Sequence, residues 1–273
     1  MSASVRFGAH KFANQAFHAE PRDVAEEVAV AISFNGTSHA VLMATPLQLD
    51  DLAIGFALSE QIVASCDEIE SVSIVRDTLG FDAQVRLKTD AAERLARRRR
   101  SMAGPVGCGL CGIENLEVAM RKIETVQSDI HVTPDQISDA LLELTKGQVL
   151  NASTHAVHGA GWFVPGANVS CVREDVGRHN AVDKLLGALA RDQVAAGEGV
   201  LVVTSRLSVE LVQKAAIAGV SVLVAVSAPT ALALREADAA GITVIAVARG
   251  DEFEVFTHNH RVLELDIVER VTP

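Results

Sequence analysis

Short apolar runs alternate with polar positions through the first half of the chain, and each run is closed by a turn signal. Val28–Phe34 and His39–Ala44 flank Asn35-Gly36, two residues that tolerate positive φ, so the pair predicts a β-hairpin. Thr45-Pro46 then opens a helix through about Ile62. Its apolar residues Leu52, Ile54, Phe56, Leu58 and Ile62 fall on more than one side, the pattern of a buried helix. Two further strands are predicted near Ile69–Arg76 and Phe81–Leu87. From Asp90 to Gly112 regular spacing breaks, and Gly104-Pro-Val-Gly-Cys-Gly-Leu-Cys-Gly112 reads as a glycine-rich loop. Helical spacing returns over Ile113–Val126, and Thr133-Pro134 starts another helix with a cap and a first-turn proline.

The last third alternates continuous apolar runs with helical ones: strand Val200–Thr204, helix Ser208–Gly219, strand Val220–Val226, helix Ala231–Gly241, strand Ile242–Val247. Strands apolar on both sides, separated by helices of about ten residues, predict an α/β fold with a parallel sheet covered on both faces. Ligands of such sheets sit beyond the carboxyl ends of the strands. Here those ends carry Thr204-Ser205-Arg206, Ser227-Ala228-Pro229-Thr230 and Arg249-Gly250, donors suited to phosphate or a nucleotide.

Composition narrows the function classes. With 49% apolar and 4% aromatic residues and no tyrosine, the core is aliphatic. A net charge of −11 disfavours a broad nucleic-acid surface, and the one basic run, Arg97–Arg100, is local. The first residues lack the apolar stretch of a signal peptide, and apolar runs reach only about eight residues against the roughly 20 of a membrane span. A soluble, cytoplasmic protein is expected. There Cys66, Cys108, Cys111 and Cys171 make a poor disulfide framework, and the close pair is reactive or metal-binding.

Cys111 falls just before the predicted helix at Ile113, where free backbone amides favour a thiolate, and the upstream arginines act in the same sense. A Cys-x-x-Cys pair alone fits a zinc half-site, a redox dithiol or a sulfur carrier. The densest polar segment, Arg173-Glu-Asp-Val-Gly-Arg-His-Asn-Ala-Val-Asp-Lys184, precedes the apolar helical spacing of Val182, Leu185, Leu186 and Leu189. Glu174, Asp175, Arg178, His179 and Asn180 therefore sit at a strand-to-helix junction, where side chains and amides converge on a ligand. His155 and His158 lie in a small-residue stretch expected to be a loop beside a site. Cys171 reads as a core residue, and Cys66 carries no assigned role. His18-Ala-Glu20 imitates a zinc deaminase motif but lies ahead of the first predicted strand, so no metal is assigned to it.

Four segments in this order, Asp51–Glu60, Gly107–Gly112, Glu174–Lys184 and Ser227–Thr230, closely resemble the formate dehydrogenase accessory sulfurtransferase family (FdhD), from about residue 25 to the C-terminus. The resemblance implies a two-domain α/β protein, divided as residues 1–127 and 128–273. Its C-terminal part would be a cytidine deaminase-like, partly parallel sheet flanked by helices. It implies that Cys108, with Cys111, accepts a persulfide sulfur from a cysteine desulfurase. The sulfur then passes to the molybdenum cofactor, Mo-bis-molybdopterin guanine dinucleotide, before insertion into formate dehydrogenase. It places Phe253, Glu254, Val255, Phe256, Thr257 and His258 where the family binds the cofactor; the cofactor's guanine nucleotides are expected at the strand-end Ser205, Arg206, Ser227 and Thr230 and near Asp175–Asn180. It further implies a homodimer, guanine-nucleotide binding and no stable metal. The chain departs from the family pattern at Asn151-Ala-Ser-Thr-His155 and at Phe256, where tyrosine is usual. The rival readings are a zinc-binding enzyme or module using the cysteine pair, and a cofactor chaperone without catalysis.

Overall fold

A computed structural model describes residues 2–102, 123–128, 130–167 and 170–263. It opens with an antiparallel hairpin of β1 (Ser4–Ala13) and β2 (Ala16–Ala25), turning at Asn14 and Gln15, both at positive φ. Side chains on both faces of this hairpin are exposed, so its sequence shows no apolar alternation and no strand was expected there. His18 and Glu20, expected ahead of the first strand, lie inside β2.

Strands β3 (Val28–Phe34), β4 (Thr37–Ala44), β5 (Ile69–Arg76) and β6 (Gly80–Leu87) form a four-stranded sheet in the order β4-β3-β6-β5. The Asn35-Gly36 hairpin forms as expected, both residues at positive φ, and the Asn35 carboxamide oxygen accepts from the Leu87 amide at 2.7 Å. Helices α1 (Leu49–Ser59) and α2 (Thr89–Met102) cover one face, packing Leu52, Phe56, Ala91 and Leu95 against Val30, Ile32 and Val85. Helix α2 corrects the expected irregular stretch from Asp90. Ala91 and Leu95, one turn apart, are its only fully buried apolar residues among those described, too few to stand out between the charges. The expected helix Ile113–Val126 falls largely outside the described residues, and residues 123–128 are irregular.

The second sheet has the order β12-β11-β10-β9-β7-β8, built from β7 (His158–Phe163), β8 (Ser170–Asp175), β9 (Val200–Val203), β10 (Val222–Ala225), β11 (Thr243–Arg249) and β12 (Glu252–Val255). Only β9, β10 and β11 run parallel; β7, β8 and β12 are antiparallel additions. Alternate residues of the parallel strands enter two different cores. Leu201, Val203, Leu223 and Val244 pack against α5 (Arg178–Arg191), α6 (Val209–Ile217) and α7 (Ala231–Ala239). Val200, Val202, Val224 and Ile245 pack against α3 (Pro134–Gly147) on the opposite face. Thr133 and Gln136 close the expected cap of α3 as a reciprocal capping box. A short helix α4 (Val149–Thr154) follows, ended by His155 at φ 53°.

Gly55 of α1 and Gly187 of α5 join the two sheet systems. A Cβ on Gly55 would lie 1.7 Å from the Asp183 carbonyl oxygen, and one on Gly187 1.9 Å from that of Asp51, so the two helix backbones are in direct contact. Ion pairs flank this crossing: Arg173 with Asp51 (2.8 Å), Arg191 with Asp51 (2.6 Å) and Lys214 with Asp183 (2.8 Å).

Candidate functional site

Because β7 runs antiparallel to β9, its first residue, His158, lies at the same edge of the sheet as the carboxyl end of β9. His158 was expected in a loop but opens the strand, paired with Asp175 at the end of β8. The edge therefore gathers His158, Thr204-Ser205-Arg206, Ser227–Thr230 and the first turns of α5 and α6. The Gly159 amide donates to the Thr204 hydroxyl at 2.9 Å, tying β7 to the end of β9.

Arg178 and His179 open α5 behind Gly177, and no side chain caps this helix. Arg178 Nε and His179 Nε2 are buried atoms without a hydrogen-bond partner among the described residues. His179 Nε2 stands 3.8 Å from a Glu210 carboxylate oxygen in the first turn of α6. Burial and the neighbouring Arg178 guanidinium hold the His179 imidazole below its ordinary pKa, against a weaker upward pull from Glu210. His158 is lowered for the same two reasons, opposed by Asp175. Glu210 is lowered too, chiefly by the Ser208 hydroxyl beside it. At neutral pH the edge thus presents a guanidinium, two neutral imidazoles and a carboxylate. Arg206 and Thr230 are exposed here, while Ser205 is buried. The Thr230 hydroxyl caps α7 by accepting from the Ala233 amide, and the Ser205 hydroxyl donates to the Arg206 carbonyl.

Asp175 and Asn180 face inward. The Asp175 carboxylate is fully buried and accepts from the Thr45 and Gly177 amides (3.0 and 2.8 Å) and from Asn180 Nδ2 (3.0 Å), with Lys184 Nζ at 2.6 Å. Asn180 Nδ2 also donates to the Met43 carbonyl at 2.8 Å. These contacts anchor the start of α5 to the end of β4. Glu174, next door, accepts from the Leu150 and Asn151 amides at 2.8 Å each and so caps α4.

The segment Phe253–His258 leaves this edge. Strand β12 returns antiparallel along β11, pairing Glu252 with Arg249 and Val255 with Ile245. Phe253 and Val255 are half-buried, Glu254 and Phe256 exposed. Thr257 is buried, donating to the Ile242 carbonyl and accepting from the Val244 amide, and His258 bonds to the Asp238 carbonyl at 2.8 Å. Thr257 and His258 therefore reach the amino edge, a strand length away from Arg178.

Cys108 and Cys111 lie outside the described residues. The chain returns from that stretch at the amino edge, where the Val126 amide donates to the Ala240 carbonyl at 2.8 Å. Ile123, Glu124, Arg94 and Cys66 border a cleft of about 840 Å³ there, between the ends of α1, α5 and α6. Burial and Asp67 raise the Cys66 thiol above its ordinary pKa, so it is held as the thiol. Ser59, also in the cleft wall, donates to Asp183 and accepts from Lys214 (2.7 and 2.8 Å). Lys214 stands one helical turn from Glu210 and Asp183 one turn from His179. A polar seam thus runs between α5 and α6 from the cleft to the carboxyl edge. Sequence reasoning assigned no role to Lys214, Ser59 or Glu210; a lysine inside the apolar pattern of α6 was the available signal.

A profile of the FdhD/NarQ family matches residues 25–263. The chain belongs to the FdhD/NarQ family. A protein of Agrobacterium fabrum named sulfur carrier protein FdhD is 51% identical over 245 residues, 89% of this chain and 90% of its own. Its namesake from Brucella abortus is 49% identical over 265 residues, 97% of this chain and 98% of its own. A crystal structure from Desulfotalea psychrophila, of a protein named as a formate dehydrogenase accessory protein, superposes with a TM-score of 0.76 at 25% identity, covering 96% of this chain and all of that one. Among the described residues no helix is long and apolar enough to cross a membrane, and no group of three or more His, Cys, Asp or Glu side chains could hold a metal ion.

Proposed function

We propose that this chain is a sulfur carrier that serves formate dehydrogenase, loading a persulfide on Cys108 and passing its sulfur to the molybdenum cofactor. The reading is carried by one observation: a Cys-Gly-Leu-Cys pair in a chain that aligns along nearly its whole length with proteins named sulfur carriers. In the loading step the Cys108 thiolate attacks the terminal sulfur of a persulfide on a cysteine desulfurase. The donor's S–S bond breaks, a new one forms on Cys108, and the donor thiolate leaves, with no net oxidation. Delivery as sulfide consumes two electrons. Cys111 supplies them by attacking the inner sulfur of the persulfide, which closes a Cys108–Cys111 disulfide as hydrosulfide departs.

The cofactor is cargo in this scheme, and its guanine nucleotide ends would meet the carboxyl edge. Arg178 Nε supplies a buried donor there with no hydrogen-bond partner among the described residues, and charge-assisted contacts to phosphate would dominate. Phe253–His258, at the far end of β12, would serve a separate part of this large ligand. The same reading includes a homodimer in the cytoplasm. It also includes a two-part organisation, residues 1–127 and 128–273, with a cytidine deaminase-like second part.

Intact-mass spectrometry after incubation with a cysteine desulfurase and cysteine tests the proposal. One added sulfur, about 32 Da, is expected on the wild type and on Cys111→Ala, and none on Cys108→Ala. Cys111→Ala should hold its persulfide longer than the wild type under excess acceptor. Loading of Cys108→Ala to the wild-type level would overturn the assignment, and one zinc per chain in the purified protein would favour a metal site instead.

A further inference from the structure

The first turns of α5 and α6 meet with more hydrogen-bonding capacity than the described residues use. Arg178 Nε, His179 Nε2 and Ser208 Oγ are buried atoms with no hydrogen-bond partner among those residues. Ser208 occupies the N-cap position of α6 without capping it. Beside them stands Glu210, its side chain 56% exposed. His179 Nε2, at 3.8 Å, is its one ion-pair contact among the described residues, and that imidazole is held neutral. Lys214, one turn further along α6, is engaged by Asp183. Ser208, His179 and Arg178 lower the Glu210 pKa, so its carboxylate is ionised. An ionised carboxylate only accepts hydrogen bonds. It repels phosphate, so on an edge of hydroxyls and guanidinium groups it suits a part of the ligand that donates hydrogen.

We propose that Glu210 reads the amino-oxo-pyrimidine edge of the cargo, which guanine and pterin share, and so sets a preference for guanine over adenine nucleotides. The inference rests on the carrier reading, in which the guanine nucleotide ends meet this edge, and adds the residue that selects the base. Guanine presents a ring N–H and an exocyclic amine side by side. These two parallel donors match the two oxygens of a carboxylate as a guanidinium does. Adenine sets an acceptor nitrogen beside its amine, so one carboxylate oxygen would meet a lone pair. A glutamine amide, one donor beside one acceptor, is instead the complement of adenine. Arg178 and the exposed Arg206 remain for the phosphates. A carboxylate in a first turn also complements the helix dipole, but that role carries no base preference.

The test is calorimetry on the full chain, wild type and Glu210→Gln, with GDP, inosine diphosphate and ADP. Wild type should bind GDP about tenfold or more tighter than inosine diphosphate, which lacks the amine, and than ADP. In Glu210→Gln, GDP should weaken about tenfold or more while ADP does not, so that the two bind within about twofold of each other, with the melting temperature little changed. A variant that keeps the wild-type ratio of GDP to ADP overturns the proposal. So does a wild type that binds both alike, or a variant that loses all three nucleotides equally. Guanosine and neopterin, which share the edge and carry no phosphate, distinguish the two ends of the cargo. Guanosine is expected to bind wild type more tightly and to weaken in the variant; neopterin behaving so in its place would assign Glu210 to the pterin. Normal sulfur loading of Cys108 without nucleotide binding overturns this proposal alone. Guanine preference in a chain whose Cys108 takes up no sulfur overturns the carrier reading and leaves the base selection standing.

Discussion

Within the string Asp175 to Lys184, neighbouring residues do opposite work. Asp175 and Asn180 hold the fold, because their partners Thr45, Met43 and Lys184 surround them completely. Arg178 and His179 keep buried nitrogen atoms at the carboxyl edge with no hydrogen-bond partner among the described residues. Asp175→Asn leaves Lys184 buried beside a neutral group. Loss of one member of such a pair costs about 3–5 kcal/mol, so thermal unfolding should shift down strongly. Asn180→Ala strands the Met43 carbonyl and should cost about 1–3 kcal/mol. Arg178→Ala should move the melting temperature little and weaken GDP about tenfold, the loss of one charge-assisted hydrogen bond. Calorimetry with GDP and ADP, beside melting curves, separates the two classes. An Asp175→Asn protein as stable as wild type, or an Arg178→Ala protein with full affinity, contradicts the division. The sequence shows that this string is polar and starts a helix. It does not show which of its members face inward, because the deciding partners Met43 and Thr45 lie about 130 residues earlier.

Among the elements, the legible ones carry their pattern locally. The parallel strands β9 and β10 are apolar at every position because both faces meet helices, and the Asn35-Gly36 hairpin is set by two adjacent residues. Hairpin β1–β2 is exposed on both faces and α2 has few inward apolar residues, so neither leaves a periodic trace. Helix α1 reads as buried, but its partner is invisible until Gly55 and Gly187 are seen to meet. A helical Gly→Ala change ordinarily gains up to about 1 kcal/mol. At Gly55 the added methyl would instead enter the Asp183 carbonyl, so α1 and α5 must separate, and overpacking costs typically about 1–3 kcal/mol or more. Gly55→Ala and Gly187→Ala should both lower stability in urea denaturation, and the double variant should cost less than the sum, since one separation accommodates both methyl groups. Stabilisation by either change would refute the crossing.

For the whole molecule, the two depressed histidines give the carboxyl edge a pH signature. Burial and Arg178 lower both His158 and His179 in the folded chain, whereas unfolded histidine titrates at about 6.5. Below that value the unfolded chain takes up protons that the folded edge refuses, so stability is lost as pH falls and regained as it rises. The groups facing the two imidazoles are Arg178, Lys214, Asp175, Glu210 and Glu60. The cations depress protonation and the carboxylates favour it, so the net depression is set by burial together with Arg178. Asp183 acts in the other direction. Burial raises its pKa despite Lys214, so its contribution weakens as pH rises above the ordinary carboxylate value. Comparing wild type with a His158→Gln, His179→Gln double variant cancels the Asp183 effect, which both proteins share. Between pH 7.5 and 5.5 the melting temperature of wild type should fall more steeply than that of the double variant. Replacing Arg178 with glutamine should flatten the wild-type slope, since the imidazoles would then protonate more readily in place. Equal slopes for all three proteins would mean that the two histidines are charged alike in the folded and unfolded chains, and that the carboxyl edge is open to water rather than held dry for a ligand.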